Sequence, residues 1–337
     1  MEHAIVIEGV TKTFGPKLAV SDLSLRVPVG SLCGFIGPNG AGKTTTIRMV
    51  MSIIFPDRGD LRVLGKASAI ESKDRIGYLP EERGLYRKMK VGAFLGYMAR
   101  LKGVDGATAD RRVKEWLVRV DLADVLRKKC EELSKGMQQK VQFIASVIHE
   151  PDLLILDEVF SGLDPVNRRL MRDLIDEQHT RGCTIVFSTH AMPEAEQLCD
   201  HLFMIHRGRK VIDSDMASLL SRHDTRTIVL EPLASRTGAA TADPTPWRRV
   251  EGVDAAEAQG RQVEVTLREG ADPSRAIAAL AAAEPVRRIE VKRVSLEDIF
   301  IQLVGGDQAT LREELQAGPR AKDEATNPPA VTGAAAR

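Results

Sequence analysis

The chain has 337 residues, enough to bury the core of one large domain and a smaller one. Its 48 basic residues balance 47 acidic ones at a formal net charge of +1, so no nucleic-acid partner is expected from bulk electrostatics. No run of about 18 apolar residues occurs, and MEHAIVIEGV has no basic-then-apolar block, so neither a spanning helix nor a signal peptide is expected. The four cysteines, Cys33, Cys130, Cys183 and Cys199, are scattered without a C-x-x-C, as reduced thiols in a cytosolic protein would be.

In chain order, residues 1 to about 220 alternate short apolar strands with helical stretches, the texture of an α/β domain. The strand-like Ser31–Ile36 runs into Gly37-Pro38-Asn39-Gly40-Ala41-Gly42-Lys43-Thr44-Thr45, a full match to G-x-x-x-x-G-K-[ST]. Such glycines let the backbone curl so that successive N–H groups face phosphate oxygens. Lys43 adds a charge for the β- and γ-phosphates, and the Thr44 hydroxyl suits a magnesium ion. Ile47, Val50, Met51 and Ile54 then recur at helical spacing, and that helix aims its N-terminal dipole at the phosphates. Val91, Phe94, Leu95, Met98 and Leu101 give a second helical face. Leu133-Ser134-Lys135-Gly136-Met137 opens another helix, with Ser134 as its N-cap and Val141, Ile144, Ala145 and Ile148 on one side.

The run Leu153–Leu156 reads as a buried parallel strand, and it ends in Asp157-Glu158. The C-terminal end of such a strand is where open α/β sheets hold ligands. Asp157 is thus a candidate metal ligand and Glu158 a candidate general base for an attacking water. His190 ends the next strand-like run, CTIVFSTH.

Residues 232–249, rich in Pro, Thr, Ala and Gly, read as a loop or linker. Beyond it, QVEVTL alternates as a half-buried strand, Asp272-Pro273 starts a helix, Arg288–Val294 reads as a strand, and Ser295 with Asp298 caps a last helix. The domains are therefore 1–222, a small α+β domain at 223–304, and a disordered Ala-, Pro- and Gly-rich tail at 305–337.

The phosphate loop, LSKGMQQ, the acidic pair and His190, in that order, resemble the ABC (ATP-binding cassette) ATPases, over roughly residues 4–220. The resemblance implies an α/β P-loop NTPase with a RecA-like core, an antiparallel β subdomain and a helical signature subdomain, acting on ATP with Mg2+. It makes Phe14 the aromatic that stacks on adenine, Asp164 part of the loop at the dimer interface, and His190 the switch histidine at the γ-phosphate. Ser134, Lys135, Gly136 and Met137 become the signature segment, which contacts the γ-phosphate held by a second cassette, identical or homologous. Two cassettes closing around two ATP molecules supply the power stroke, with catalytic roles for Lys43, Glu158 and His190.

Four positions, in three motifs, depart from the family pattern. Lys135 and Met137 replace a glycine and the glutamine of the signature; Glu81 stands for the usual loop glutamine, as a candidate ligand of the metal; Phe14 replaces the commoner tyrosine. YLPEERGLY and LSKGMQQKVQF look like the ATPase subunits of ABC-2-type exporters, including those related to sodium extrusion, and SLEDIFIQLV resembles their appended accessory domain. That branch implies a polytopic membrane permease as partner, a peripheral place on the inner face of the cell membrane, and Tyr86, Arg87, Lys88 and Met89 as candidate contacts. A soluble ABC protein of translation or repair is the alternative; a single cassette without a long heptad insertion argues against both, and intact Lys43, Asp157, Glu158 and His190 argue against an inactive cassette.

Overall fold

The computed structural model describes residues 2–82, 84–222, 226–233, 241–292 and 294–304. The tail expected to be disordered, 305–337, lies outside the described residues. Met1–Asp215 form one compact unit and Met216–Gln302 a second.

The first unit runs β1 (His3–Phe14), β2 (Lys17–Pro28), β3 (Leu32–Ile36), α1 (Lys43–Val50), β4 (Arg58–Val63), β5 (Ile76–Leu79), α2 (Val91–Leu101), α3 (Gly106–Arg119), α4 (Lys135–Val147), β6 (Leu153–Asp157), α5 (Pro165–Thr180), β7 (Thr184–Thr189), α6 (Met192–Leu198), β8 (His201–His206) and β9 (Arg209–Asp215). Its strands form two sheets. One is antiparallel, in the order β2-β1-β4. The other is six-stranded, in the order β5-β6-β7-β3-β8-β9, with β9 antiparallel to β8 and the other neighbours parallel. β3 and β6 are buried along their whole length, because a parallel strand is covered on both faces and has no wet side to alternate toward. One apolar cluster joins the sheets: Ile5, Ile7, Leu23 and Leu25 of the antiparallel sheet meet Phe35, Ile155 and Phe203 of the parallel one, with Ile47 and Val50 of α1.

The helices follow their sequence signals with informative exceptions. The Ser134 hydroxyl accepts the Met137 amide at 3.3 Å and caps α4. Asp164 caps α5 in the same way, with Pro165 in the first turn. α1 is shorter than its apolar spacing suggests: it ends at Val50, and Met51 and Ile54 pack on the core from the turn beyond it. α4 is buried from Val141 through Val147 on all sides, so its single expected apolar face misses the buried Gln139, Gln142 and Ser146.

The second unit contains α7 (Met216–Arg222), β10 (Thr227–Pro232), β11 (Val253–Gln259), β12 (Gln262–Leu267), α8 (Pro273–Ala283), β13 (Val286–Val291) and the start of α9 (Leu296–Val304). Its antiparallel sheet has the order β11-β12-β10-β13. The caps at Asp272 and at Ser295–Asp298 form as expected. Two expectations need correction, and one strand has no sequence signal. β13 begins at Val286 and ends at Val291, not Arg288 to Val294. β11, VDAAEAQ, has little β propensity and becomes a strand by pairing with β12 along its length. The stretch 232–249 is not all linker: Trp247 is 1% exposed within the core cluster, and its indole N–H donates to the Leu280 carbonyl at 3.0 Å.

Candidate active site

β6, β7 and β3 are neighbours in the parallel sheet, so their C-terminal ends deliver three loops to one edge. The register pairs Asp157 with Ser188 and Ile36 with Thr189, which sets the loops after Ile36, Asp157 and Thr189 side by side.

The loop after β3 is shaped by its glycines. Gly42 has φ 109, and a Cβ there would lie 2.6 Å from the Ala19 carbonyl oxygen. Gly37 passes so close to the Ile205 carbonyl that a side chain would collide with backbone. Within this loop the Lys43 ammonium donates to the carbonyls of Gly37 at 2.7 Å and Pro38 at 3.3 Å. It also lies 3.6 Å from Glu158 Oε1. Burial pushes the Lys43 pKa down, opposed by the charges of Glu158 and Asp157. The Ala41 amide donates to Pro38, closing the turn that opens α1.

Asp157 Oδ1 accepts from the Ser188 hydroxyl and, at 3.5 Å, from Thr44. Its Oδ2 is buried and has no hydrogen-bond partner among the described residues. Burial pushes the Asp157 pKa up, partly offset by the Ser188 bond. A buried carboxylate oxygen without a donor, next to a threonine hydroxyl, fits a divalent cation whose remaining ligands are phosphate oxygens and water. No group of three or more His, Cys, Asp or Glu that could hold a metal occurs among the described residues.

Glu158 sits at φ 51, a left-handed conformation uncommon for a non-glycine residue. Its amide is held by the Ser188 carbonyl and hydroxyl, each at 3.2 Å. This turn directs the carboxylate between Lys43 and His190, whose Nδ1 lies 2.9 Å from Oε2. That hydrogen bond raises the His190 pKa, against burial.

Lys43, Glu158 and His190 line an open cleft of about 250 Å3 together with Phe14, Asn39, Gly40, Gly42, Thr44, Thr45 and Glu81, while Asp157 is buried behind the lining, beside Thr44. Phe14 is half exposed, ready for a planar ring, with the Lys12 ammonium 5.6 Å from its centroid. Ser161, which opens the Ser161–Asp164 loop read from the resemblance, also lines the cleft, as do Lys17 and Ala19, and Ser188 holds both acids; Lys17, Ala19 and Ser188 do not stand out in sequence, because each acts by place and not by motif. Ser134, Lys135, Gly136, Met137 and Asp164 do not line the cleft. Ser134 and Lys135 lie exposed at the α4 N-terminus, where a helix end offers free amides to an anion. Tyr86 packs edge-on against Phe94 and Tyr97 and stays half exposed, with Arg87 and Lys88 exposed beside it.

Residues 20–161 match the ABC transporter family, and residues 217–304 match the C-terminal domain of DrrA1-3-like ATP-binding proteins. The chain is 38% identical over 308 residues, 89% of its length and 98% of the relative's, to the ABC transporter ATP-binding protein YhaQ of Bacillus subtilis (strain 168). It is 33% identical over 309 residues, 90% and 97% of the two lengths, to the Nod factor export ATP-binding protein I of Rhizobium sp. (strain N33). Among solved structures, an ATP-binding subunit of an ABC transporter superposes with a TM-score of 0.61 at 28% identity, covering 65% of this chain and 92% of that one.

Proposed function

The chain belongs to the ATP-binding subunits of ABC transporters, which are ATPases, and from that premise we propose that it powers an ABC-2-type exporter. The cargo side of the mechanism belongs to a polytopic permease, since no described helix is long and apolar enough to cross a membrane. Support for export comes from the similarity to Nod factor export ATP-binding proteins and to the DrrA-like C-terminal domain. We place the subunit on the inner face of the cell membrane, docked through the half-exposed Tyr86 and its neighbours Arg87, Lys88 and Met89.

The observation that carries the mechanism is the chain of contacts Lys43–Glu158–His190 beside Asp157. Lys43, drawn from its own loop carbonyls, takes the β- and γ-phosphates. Phe14 stacks on the adenine. Glu158 accepts the proton of the attacking water, and His190 orients Glu158 and reaches the γ-phosphate. A magnesium ion, held by Asp157 and Thr44 with Glu81 at the cleft wall, would neutralise charge developing on the phosphates. Ser134 and the Gly136 amide, outside the cleft of their own chain, serve the phosphate bound by a second cassette, so catalysis needs a dimer. The proposed domain limits are 1–222 for the cassette and 223–304 for the accessory domain, which assigns to the cassette the helix α7 that packs with the second compact unit.

The test is to tag the protein in its native cell, solubilise membranes gently and identify what co-purifies. A stoichiometric polytopic membrane protein supports the exporter reading, and a second cassette in the complex would make the dimer a heterodimer. A protein that stays wholly free of membrane partners, beside a control transporter that survives intact, sinks it.

A further inference from the structure

α4 carries two buried glutamines one turn apart, and neither serves the helix itself. Gln142 is 6% exposed, and its Nε2 donates to the Pro80 carbonyl at 3.3 Å and to the Glu82 carbonyl at 3.3 Å. These two carbonyls flank Glu81, whose carboxylate lines the nucleotide cleft. One amide therefore spends both its hydrogens on the two sides of a single acidic residue. Gln139, three residues earlier, donates through Nε2 to the carbonyl of Val159, the residue after Glu158, at 3.1 Å. Residues three apart lie on one helix face, so the same face reaches both acidic loops. The packing beneath leaves no slack. Gly77 of β5 lies so close to the Ser146 carbonyl of α4 that a Cβ would collide with it. Strand, helix and the loop after Pro80 are thus in direct contact.

We propose that Gln142 is a positioning residue, through which the helix capped by Ser134 fixes Glu81 at the nucleotide, with Gln139 holding the Glu158 loop from the same face. The inference deepens the active-site reading given above and rests on it. Its consequence is a route from the partner's phosphate to the chain's own acids. A pull on the α4 N-terminus reaches the Glu81 and Glu158 loops through two side-chain amides, without crossing the sheet.

The test compares Gln142→Met, which keeps the length and removes both donors, with wild type alone and in a Glu81→Ala background. We expect Gln142→Met to lower kcat about tenfold, the size of one to two neutral hydrogen bonds, with magnesium-free nucleotide affinity unchanged. In the Glu81→Ala background the same change should cost less than about twofold, because the group it positions is gone. Hydrogen exchange, which needs no activity, should quicken at the amides of Glu81, Glu82 and residues 84–86 in Gln142→Met. Equal losses in both backgrounds, or unchanged exchange, overturn the proposal. If Gln142→Met does not fold, Gln142→Asn keeps the amide but is one methylene too short to span both carbonyls, and the same cycle applies. If wild type hydrolyses no ATP, the active-site reading fails, while the exchange comparison still decides whether the clamp exists.

Discussion

At the scale of single residues, the acidic pair divides its labour by backbone. Asp157 ends a strand and keeps one buried carboxylate oxygen without a hydrogen-bond partner among the described residues, whereas Glu158 turns through a left-handed conformation toward Lys43 and His190. Glu158→Gln should keep nucleotide affinity and slow hydrolysis about 10²–10⁴-fold, the usual size of a general-base effect; near-normal turnover would remove the residue from that role. Lys43→Ala should abolish tight nucleotide binding, and an unchanged titration would contradict the phosphate-loop assignment. A third residue sets an acid limit on stability. His149 makes one hydrogen bond to the Ile76 carbonyl at 3.2 Å, and its Nδ1 is buried with no partner among the described residues. Burial, then the charge of Lys102, pushes its pKa down to about 4. An unfolded histidine titrates near 6.5, so below that pH the unfolded chain takes up a proton that the folded chain refuses. This share of stability is complete above about pH 6.5 and is lost as pH falls toward 4. Urea unfolding at pH 7 and pH 5 should show the loss, and His149→Gln should flatten it; an equal slope in the variant would assign the acid sensitivity elsewhere.

At the scale of elements, close approach matters more than propensity. Gly37→Ala should damage the phosphate loop even though alanine is small, because the new Cβ meets the Ile205 backbone, which cannot swing aside as a side chain could. Loss of nucleotide binding with the overall fold kept, seen by titration and circular dichroism, is the expected outcome. Trp247 plays the corresponding part in the second unit. It fills the core beneath the sheet and satisfies its N–H on the Leu280 carbonyl. Trp247→Ala should destabilise that unit by about 3–5 kcal/mol, as large core truncations do. A denaturation profile that hardly moves would make the indole dispensable.

At the scale of the whole molecule, Ser134 and Gly136 lie away from the cleft that Lys43 and Glu158 line, and the proposed shared site makes the cassette depend on a second one. Glu158→Gln should therefore accumulate as an ATP-bound dimer by sedimentation, since closure needs ATP and reopening needs hydrolysis. Adding Ser134→Ala should return it to monomer; a dimer that ignores either change would contradict the shared site. The sequence by itself determined the α/β class, the phosphate loop, the acidic pair, His190 and the helix caps. These are local: a loop that curls on its glycines, or a cap that bonds its own third amide, needs no distant partner to be recognised. Tertiary structure alone decided that β11 is a strand, that Trp247 is core and not linker, and that Ser188 steadies both acids. It also decided that Gln139 and Gln142 reach across to the two acidic loops. A glutamine on a helix carries no mark of its partner in the sequence; burial and the direction of the carbonyls it meets, both set by how the chain folds back, give it its role.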